Sequence, residues 1–433
     1  MTDHPLRTGS GLFCFCASIR TRPETFNDGN VKIFSMIPAL TPTYNRANLA
    51  FEKGEGAWLY TTDGRRFLDF AAGIATCSLG HAHPHLVNAI QQQAAKVMHV
   101  SNLFRIPQAE KLAQRLTEHS FADSVFFCNS GAEANEGMVK FARRAQALAG
   151  YPERTEIICM DGAFHGRTLA MLSATGNPKY LDGFGTPVPD FIHVPFNDIE
   201  AVKKALTART CAIMLEPIQG ESGIRAASGE FLSQLRALCD ETGVLLAFDE
   251  VQTGVGRTGR LFAHEWAGVL PDVMSTAKGL GGGFPIGAVL ATETVAKAMT
   301  FGTHGTTFGG SPLACAAANA VLDVLLAPGF LDQVCARARL LDTLLDELIT
   351  QYPGVFDARR GRGLLIGLHC VPPAGNVLEA ATEAGLLCVT AGDNVLRLLP
   401  PLTVTEDECL EAVSRLKKTA ELLSVNQNAA EAV

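Results

Sequence analysis

VLLAFDEVQ (244–252) and DVMSTAKGLGGGFP (272–285) are apolar runs of strand length, and each stops on a charged residue, Asp249 in the first and Lys278 in the second. A charged group that ends a buried strand stands at its carboxyl end, where α/β sheets open a crevice for ligands. Similar short runs lie upstream at VFFC (125–128), EIICM (156–160), FIHVP (191–195) and CAIMLEP (211–217). Between them, apolar residues recur at three- and four-residue spacing, as in FLSQLRALCDETG (231–243) and from Ala132 to about Ala149, which predicts helices. This alternation specifies an α/β fold. Strands that are apolar throughout are covered on both faces, and a sheet covered that way is mostly parallel.

The pattern changes after a helix predicted from about Pro312 to Leu326. A helix over 330–351 is followed by GLLIGLHC (363–370), GLLCV (385–389) and VLRLLP (395–400), the marks of a smaller α+β domain. The early hairpin WLYTTDGRRFLDF (58–70), with its Asp-Gly turn, joins that domain or bridges to it. The expected division is a disordered extension at 1–35, an N-terminal segment at 36–75, a large domain at 76–328 and a small C-terminal domain at 329–433. Residues 1–35 lack periodicity, and Met36 opens a more regular stretch, so an upstream start codon ahead of a true start at Met36 is one explanation.

The 433 residues are 47% hydrophobic and 18% charged, enough apolar material for a large core. Forty-four acidic residues against 36 basic ones give a formal charge of −8, and no basic run stands out, which argues against nucleic acid as a partner. Apolar stretches are broken by glycine or charge, so no membrane span is expected. The twelve cysteines are scattered without a CxxC pair, which predicts reduced thiols in a cytoplasmic protein. Only Cys14 and Cys16, in GLFCFCAS, look unusual.

Two readings of the opening segments stand side by side. In one, Lys278 forms an imine with a pyridoxal carbonyl while Asp249 keeps the pyridine nitrogen protonated, the pairing that turns such a ring into an electron sink. In the other, the two residues make a salt bridge at a sheet edge and Gly279, Gly281, Gly282 and Gly283 serve turns. CNSGAEANEGMVKFARR (128–144) links a strand to a helix through Asn129, Ser130, Gly131 and Ala132, which is either a seat for phosphate or an ordinary serine cap. In DGAFHGRT (161–168), Phe164 is a stacking ring or a core residue, and Arg167 is a carboxylate fork or a surface charge. THGTTFGGSP (303–312) offers Thr306 and Thr307 to phosphate or to the cap of the next helix. His81, His83 and His85 in GHAHPH invite a metal, but Pro84 reads as a helix start and no matching carboxylates appear, so no metal is expected. Gly254, Gly256 and Gly259 resemble a dinucleotide fingerprint, yet no helix opens directly behind them, so a Rossmann reading is set aside.

Five pieces occur together and in order: FHGRT (164–168), LEPIQGE (215–221), DEVQTGVGRTG (249–259), AKGLGGG (277–283) and HGTTFGG (304–310). Together they resemble the class III, ornithine-type aminotransferases, a branch of the fold-type I pyridoxal 5′-phosphate enzymes, over about Tyr44 to Val404. The resemblance implies a large domain with a mostly parallel sheet covered by helices, plus a smaller α+β domain. It implies that Lys278 is the Schiff-base lysine and proton shuttle, that Asp249 pairs with the pyridinium nitrogen and that Gln252 meets the ring hydroxyl. Ser130, Gly131 and Ala132 would lie at the phosphate, Glu250 and Val251 beside the ring, and Phe164 on its face. Thr307 would reach the phosphate from the neighbouring subunit of a homodimer, with Thr306 touching substrate across the same interface. Arg167 and Arg397 would bind substrate carboxylates, Glu221 would pair with Arg397 and release it to a dicarboxylic substrate, and Tyr44 would line the pocket.

Within the class, SNLFRIPQAEKLAQRL (101–116) and VLRLLPPLTVTEDE (395–408) are most similar to the branch acting on N-acetylornithine in arginine synthesis. Ile74 stands where ornithine-specific members resemble one another in carrying a tyrosine, and an apolar side chain suits an acylated amine. Ser222 and Ser311 depart from a commoner glycine and asparagine. The implied substrates are N-acetylornithine, 2-oxoglutarate and glutamate. Other ω-amines (succinylornithine, succinyldiaminopimelate, ornithine, 4-aminobutyrate), an aminomutase and a non-catalytic pyridoxal-binding regulator are the competing expectations.

Overall fold

The computed structural model describes residues 39–431, with side chains through residue 424. The expectations for the extension at 1–35, for a start at Met36 and for Cys14 and Cys16 lie outside the described residues. Residues 39–49 form a short irregular segment, in which the Arg46 guanidinium lies 5.4 Å from the centre of the exposed Tyr44 ring. Residues from Ala50 onward form one compact unit.

That unit is built on a seven-stranded sheet. Its strands run, edge to edge, Ser124–Cys128, Gly287–Ala291, Val273–Thr276, Leu245–Asp249, Thr210–Leu215, Glu156–Met160 and Phe191–Val194. All are mutually parallel except Gly287–Ala291, which runs against both neighbours. The sequence reading did not pick out Gly287–Ala291, because GGFPIGAVLA reads as a continuation of the glycine-rich turn. Thr210–Leu215 and Gly287–Ala291 are buried at every residue, as expected of strands covered on both faces. The covering helices include Gly131–Leu148 and Gly229–Thr242, whose caps Ser130 and Ser228 accept from Glu133 N and Phe231 N. The nearly all-apolar helix Pro312–Leu325 is buried along most of its length.

The C-terminal part forms a separate antiparallel sheet in the order Phe356–Arg362, Leu365–Cys370, Val395–Leu398, Val389–Ala391. A third sheet joins an early and a late part of the chain. The hairpin Trp58–Thr61 and Arg66–Asp69 carries Phe51–Glu55 on one edge, and Leu386–Leu387 pairs parallel with Arg66–Asp69 on the other. Among the described residues no single helix is long and apolar enough to cross a membrane, and the ten described cysteines are free.

Candidate active site

Three strands of the large sheet end side by side, and each ends at an ionisable group. Thr210–Leu215 is followed by Glu216, Leu245–Asp249 closes on its own aspartate, and Val273–Thr276 is followed two residues later by Lys278. With Gly131, Ala132, Asn135, Phe164, His165, Gly166, Arg167, Val251 and Gln252, these residues line a cavity of about 260 Å³. Lys278 sits at φ 30°, a left-handed conformation costly for a residue with a Cβ and held by the turn Lys278–Gly281. Burial pushes its ammonium down to about 8; Glu221 resists this and Arg397 adds to it.

Asp249 is buried and fully engaged on the protein side. One oxygen accepts from Asn135 Nδ2 at 2.7 Å and meets His165 Nδ1 at 2.8 Å. The other accepts from Val251 N at 3.0 Å and Ser275 Oγ at 3.4 Å. Burial works against a charge on His165, but the Asp249 carboxylate outweighs it and raises the imidazole above its ordinary value. Asn135 also donates to His165 O at 2.8 Å, so one helix side chain orders both members of the pair. Glu216 accepts from Phe164 N at 2.8 Å and from Gly220 N at 3.2 Å. Burial, and then the nearby Asp249, raise Glu216 above the usual carboxylate range.

At the start of helix Gly131–Leu148 the backbone lies open to the cavity. A Cβ on Gly131 would stand 2.6 Å from Val251 Cγ1, and one on Gly166 would stand 2.7 Å from the Ala132 Cβ. Only glycine fits at 131 and 166, and the bare N–H groups of an 18-residue helix point where an anion would bind. Phe164 packs edge-on to Tyr180, and the Arg167 guanidinium lies 3.9 Å from the Tyr180 ring centre. Arg167 is exposed, and no carboxylate pairs with it among the described residues.

Arg397 is the opposite case. It is buried, and its Nη1 donates to Glu221 Oε1 at 2.7 Å, Gln252 Oε1 at 2.9 Å and Gly220 O at 3.0 Å. Burial pushes Glu221 up, but the Arg397 guanidinium outweighs it and leaves the carboxyl below its ordinary value. Gln252 belongs to both groups, lining the Lys278 cavity while accepting from Arg397.

Several expected residues fall elsewhere. Glu250 does not line the cavity. Neighbours at a strand end point to opposite sides, and its carboxylate accepts instead from Thr253 Oγ1, Ala263 N and His264 N, closing the loop behind the sheet. Ser130 spends its hydroxyl on the helix cap. Thr306 and Thr307 line a second cavity, of about 500 Å³, with Phe126, Cys128, Asn129, Glu133, Glu136 and His304. Ser311, not a threonine, caps helix Pro312–Leu325. Ile74 sits in a turn whose residues Ala72, Gly73, Ile74 and Ala75 are all left-handed, and Ser78 Oγ ties the segment after it to Gly279 O at 2.8 Å. His81 pairs with Asp69 and His85 with Asp323, so the histidine run serves two separate contacts. Asn135, His165 and Glu216 were missed, although Glu216 carries the signal that marked Asp249, an acid ending an apolar strand.

The family model for class-III aminotransferases matches residues 40–420. The chain belongs to this family. It is an aminotransferase, and members of the class use pyridoxal 5′-phosphate. It is 57% identical over 386 residues to the acetylornithine aminotransferase of Brucella melitensis, a match covering 89% of this chain and 96% of that one. The crystal structure of N-acetylornithine aminotransferase from Stenotrophomonas maltophilia superposes with a TM-score of 0.78 at 38% identity, covering 88% of this chain and 98% of that one. The ornithine aminotransferase of Toxoplasma gondii, with pyridoxal phosphate partly occupying its active site, superposes with a TM-score of 0.84 at 32% identity, covering 89% and 93%.

Proposed function

We propose that this aminotransferase moves the terminal amino group of N-acetylornithine to 2-oxoglutarate, giving N-acetylglutamate semialdehyde and glutamate, and runs in either direction. The observation that carries the reading is the inequality of two arginines beside Lys278. Arg167 faces the cavity without a carboxylate partner, whereas Arg397 is neutralised by Glu221. A monocarboxylate amine needs one cation and takes Arg167. A five-carbon dicarboxylate needs two, and gains the second when Glu221 leaves Arg397. Names of relatives point the same way.

The cavity suits pyridoxal 5′-phosphate. Gly131, which has no room for a Cβ, and Ala132 present helix N–H groups to a phosphate. Asp249, oriented by Asn135 and His165, would hold the ring nitrogen's proton, with Gln252 at the ring hydroxyl and Phe164 and Val251 at its faces. When bound, this group supplies a carbonyl that takes up the amine and a ring that spreads negative charge. Lys278, held near 8, is neutral often enough at physiological pH to take the proton from the substrate's amine-bearing carbon. Asp249 would hold the proton on the ring nitrogen, the positive centre toward which the developing negative charge moves, and Arg167 would fix the substrate's carboxylate so that this carbon faces Lys278.

Thr307 completes the phosphate seat from a second copy of the chain. In support, Thr307 is exposed in a cavity apart from Lys278, and Leu103, Phe104 and Phe308 beside it expose 88%, 68% and 62% of their surface. Asn102 Nδ2 joins these segments through Thr306 O at 3.2 Å and Gly309 O at 2.9 Å. A homodimer fits this surface, and a cytoplasmic location is part of the proposal. The division into a large domain at 76–328 and a small one at 329–433 remains part of the proposal. Side-by-side kcat/KM values test the substrate: N-acetylornithine is expected to exceed ornithine, whose second amine is charged, and 4-aminobutyrate, which has no acylamino group, by about tenfold or more. Equal values would refute the assignment.

A further inference from the structure

Glu221 lies in the loop 219–223, between two strand ends, and this loop is pinned on every side. Gln219 Nε2 donates to Asp161 O at 2.9 Å, and Gly392 N donates to Glu221 O at 2.7 Å. Arg360 Nη1 donates to Gly223 O at 3.3 Å. Next to Glu221 in the chain, Ser222 donates its hydroxyl to Gly162 O, a contact of this loop that reaches the turn before Phe164 and Arg167. Gly162 opens the loop that carries Phe164 and Arg167, at φ 80° and with Ser222 Oγ only 2.8 Å from where its Cβ would stand. Ser222 therefore bonds the loop of the paired arginine's carboxylate to the loop of the free arginine.

We propose that Ser222 is a positioning residue that holds Glu221 on Arg397 and thereby sets how readily the site admits a dicarboxylate. The inference rests on the two-arginine reading above. A glycine at 222 has no hydroxyl to give, so in its place only Gln219 would join the two loops on this side. With the Ser222 bond present, the closed pair Glu221–Arg397 is favoured, and a dicarboxylate must displace it. Without the bond, the backbone at Glu221 relaxes, the carboxylate spends more time off Arg397, and the second cation is more often available. A ligand with one carboxylate never calls on Arg397 and does not register the change.

The test measures binding of two unreactive acids to the holoenzyme by calorimetry: glutarate, with two carboxylates, and pentanoate, with one. Ser222→Ala is expected to tighten glutarate by about two- to tenfold, the range one hydrogen bond spans, and to leave pentanoate unchanged. Ser222→Thr, which keeps the hydroxyl, is expected to return glutarate to the wild-type value. In kinetics the KM for 2-oxoglutarate falls relative to that for the amine. Equal shifts for both acids, or none for either, overturn the proposal. Arg397→Ala separates it from the reading beneath: the wild type should prefer glutarate and this variant should lose the preference. A wild type with no such preference takes down both ideas, whereas a normal wild type with an indifferent Ser222→Ala takes down this one alone.

Discussion

Two cavities open on either side of the start of helix Gly131–Leu148, and they differ in how fully the chain itself furnishes them. Around Lys278, the two acids and the buried arginine are already engaged by neighbours, and Arg167 is left for a ligand. Asp249 takes contacts from four of them, Glu216 takes two backbone N–H groups and Arg397 makes three contacts through one nitrogen. Around Thr306 and Thr307, Glu133, Thr307 and Phe308 are exposed, and so are Leu103 and Phe104 nearby. The first cavity has the preorganised polar groups that chemistry requires. The second has the exposed apolar surface of a binding face, with Thr307 exposed among it. On the proposed reading, the chemistry belongs to one chain and the completion of the phosphate seat to its partner.

The largest effect expected from breaking this comparison is at Lys278. Lys278→Ala should lower amine transfer by about 10⁴-fold or more, since both nucleophile and proton carrier go, as steady-state glutamate formation would show. Asp249→Asn keeps the shape but removes the charge facing the ring nitrogen, and a loss of about 10²- to 10⁴-fold is expected in the same assay. A variant within a few-fold of wild type would break the claim that this carboxylate is tuned by Asn135 and His165 for the ring. Thr307→Ala should leave the Lys278 cavity intact and weaken cofactor binding by about tenfold to a hundredfold, the range for a hydrogen bond to a charged group. Mixing Thr307→Ala chains with Lys278→Ala chains sharpens this. Sites that retain Lys278 should regain wild-type affinity in the mixed dimer, and an affinity unchanged by mixing would place Thr307 and Lys278 in one chain's site.

The smallest effect is a pH dependence. With its pKa held down to about 8 by burial, Lys278 is protonated below that value and neutral above it. Uptake of pyridoxal phosphate by cofactor-free protein should therefore rise with pH through about 8 and then level off, followed by absorbance in a stopped-flow instrument. An ordinary lysine would still be rising near pH 10. The sign for stability agrees. Between about pH 8 and the lysine value of the unfolded chain, the folded protein binds fewer protons at this group, so the cofactor-free protein gains stability as pH rises through that window.

Lys278 and Asp249 drew notice in sequence as charged residues ending apolar strands, a signal that left a salt bridge open until the five ordered motifs were read together. The α/β order, the mostly parallel sheet and the early hairpin followed from periodicity and turn residues, whereas the hairpin's parallel pairing with Leu386–Leu387 came from the fold. What periodicity could not carry was direction. It did not show that Glu250 turns away from Asp249 into the loop at 263–264, nor that Gly287–Ala291 returns antiparallel through the sheet. Asn135 and His165 were hidden for a different reason. Each is a polar residue in a segment read for its neighbours, and only the fold brings them to one carboxylate from positions 114 and 84 residues away. The ion pair of Glu221 and Arg397, 176 residues apart, came from resemblance and not from spacing. Tyr44, expected in the pocket, belongs to the separate segment 39–49 and keeps its place there as an expectation.

The central claim is that Lys278, of all the lysines in the chain, carries the cofactor. Borohydride reduction of the natively purified protein, followed by mass mapping of its peptides, tests it most directly. The account predicts the added mass of reduced pyridoxal phosphate on the peptide containing Lys278 and on no other, and none in the Lys278→Ala variant. A label on a different lysine, or an unlabelled wild-type chain after loading with the cofactor, would contradict it.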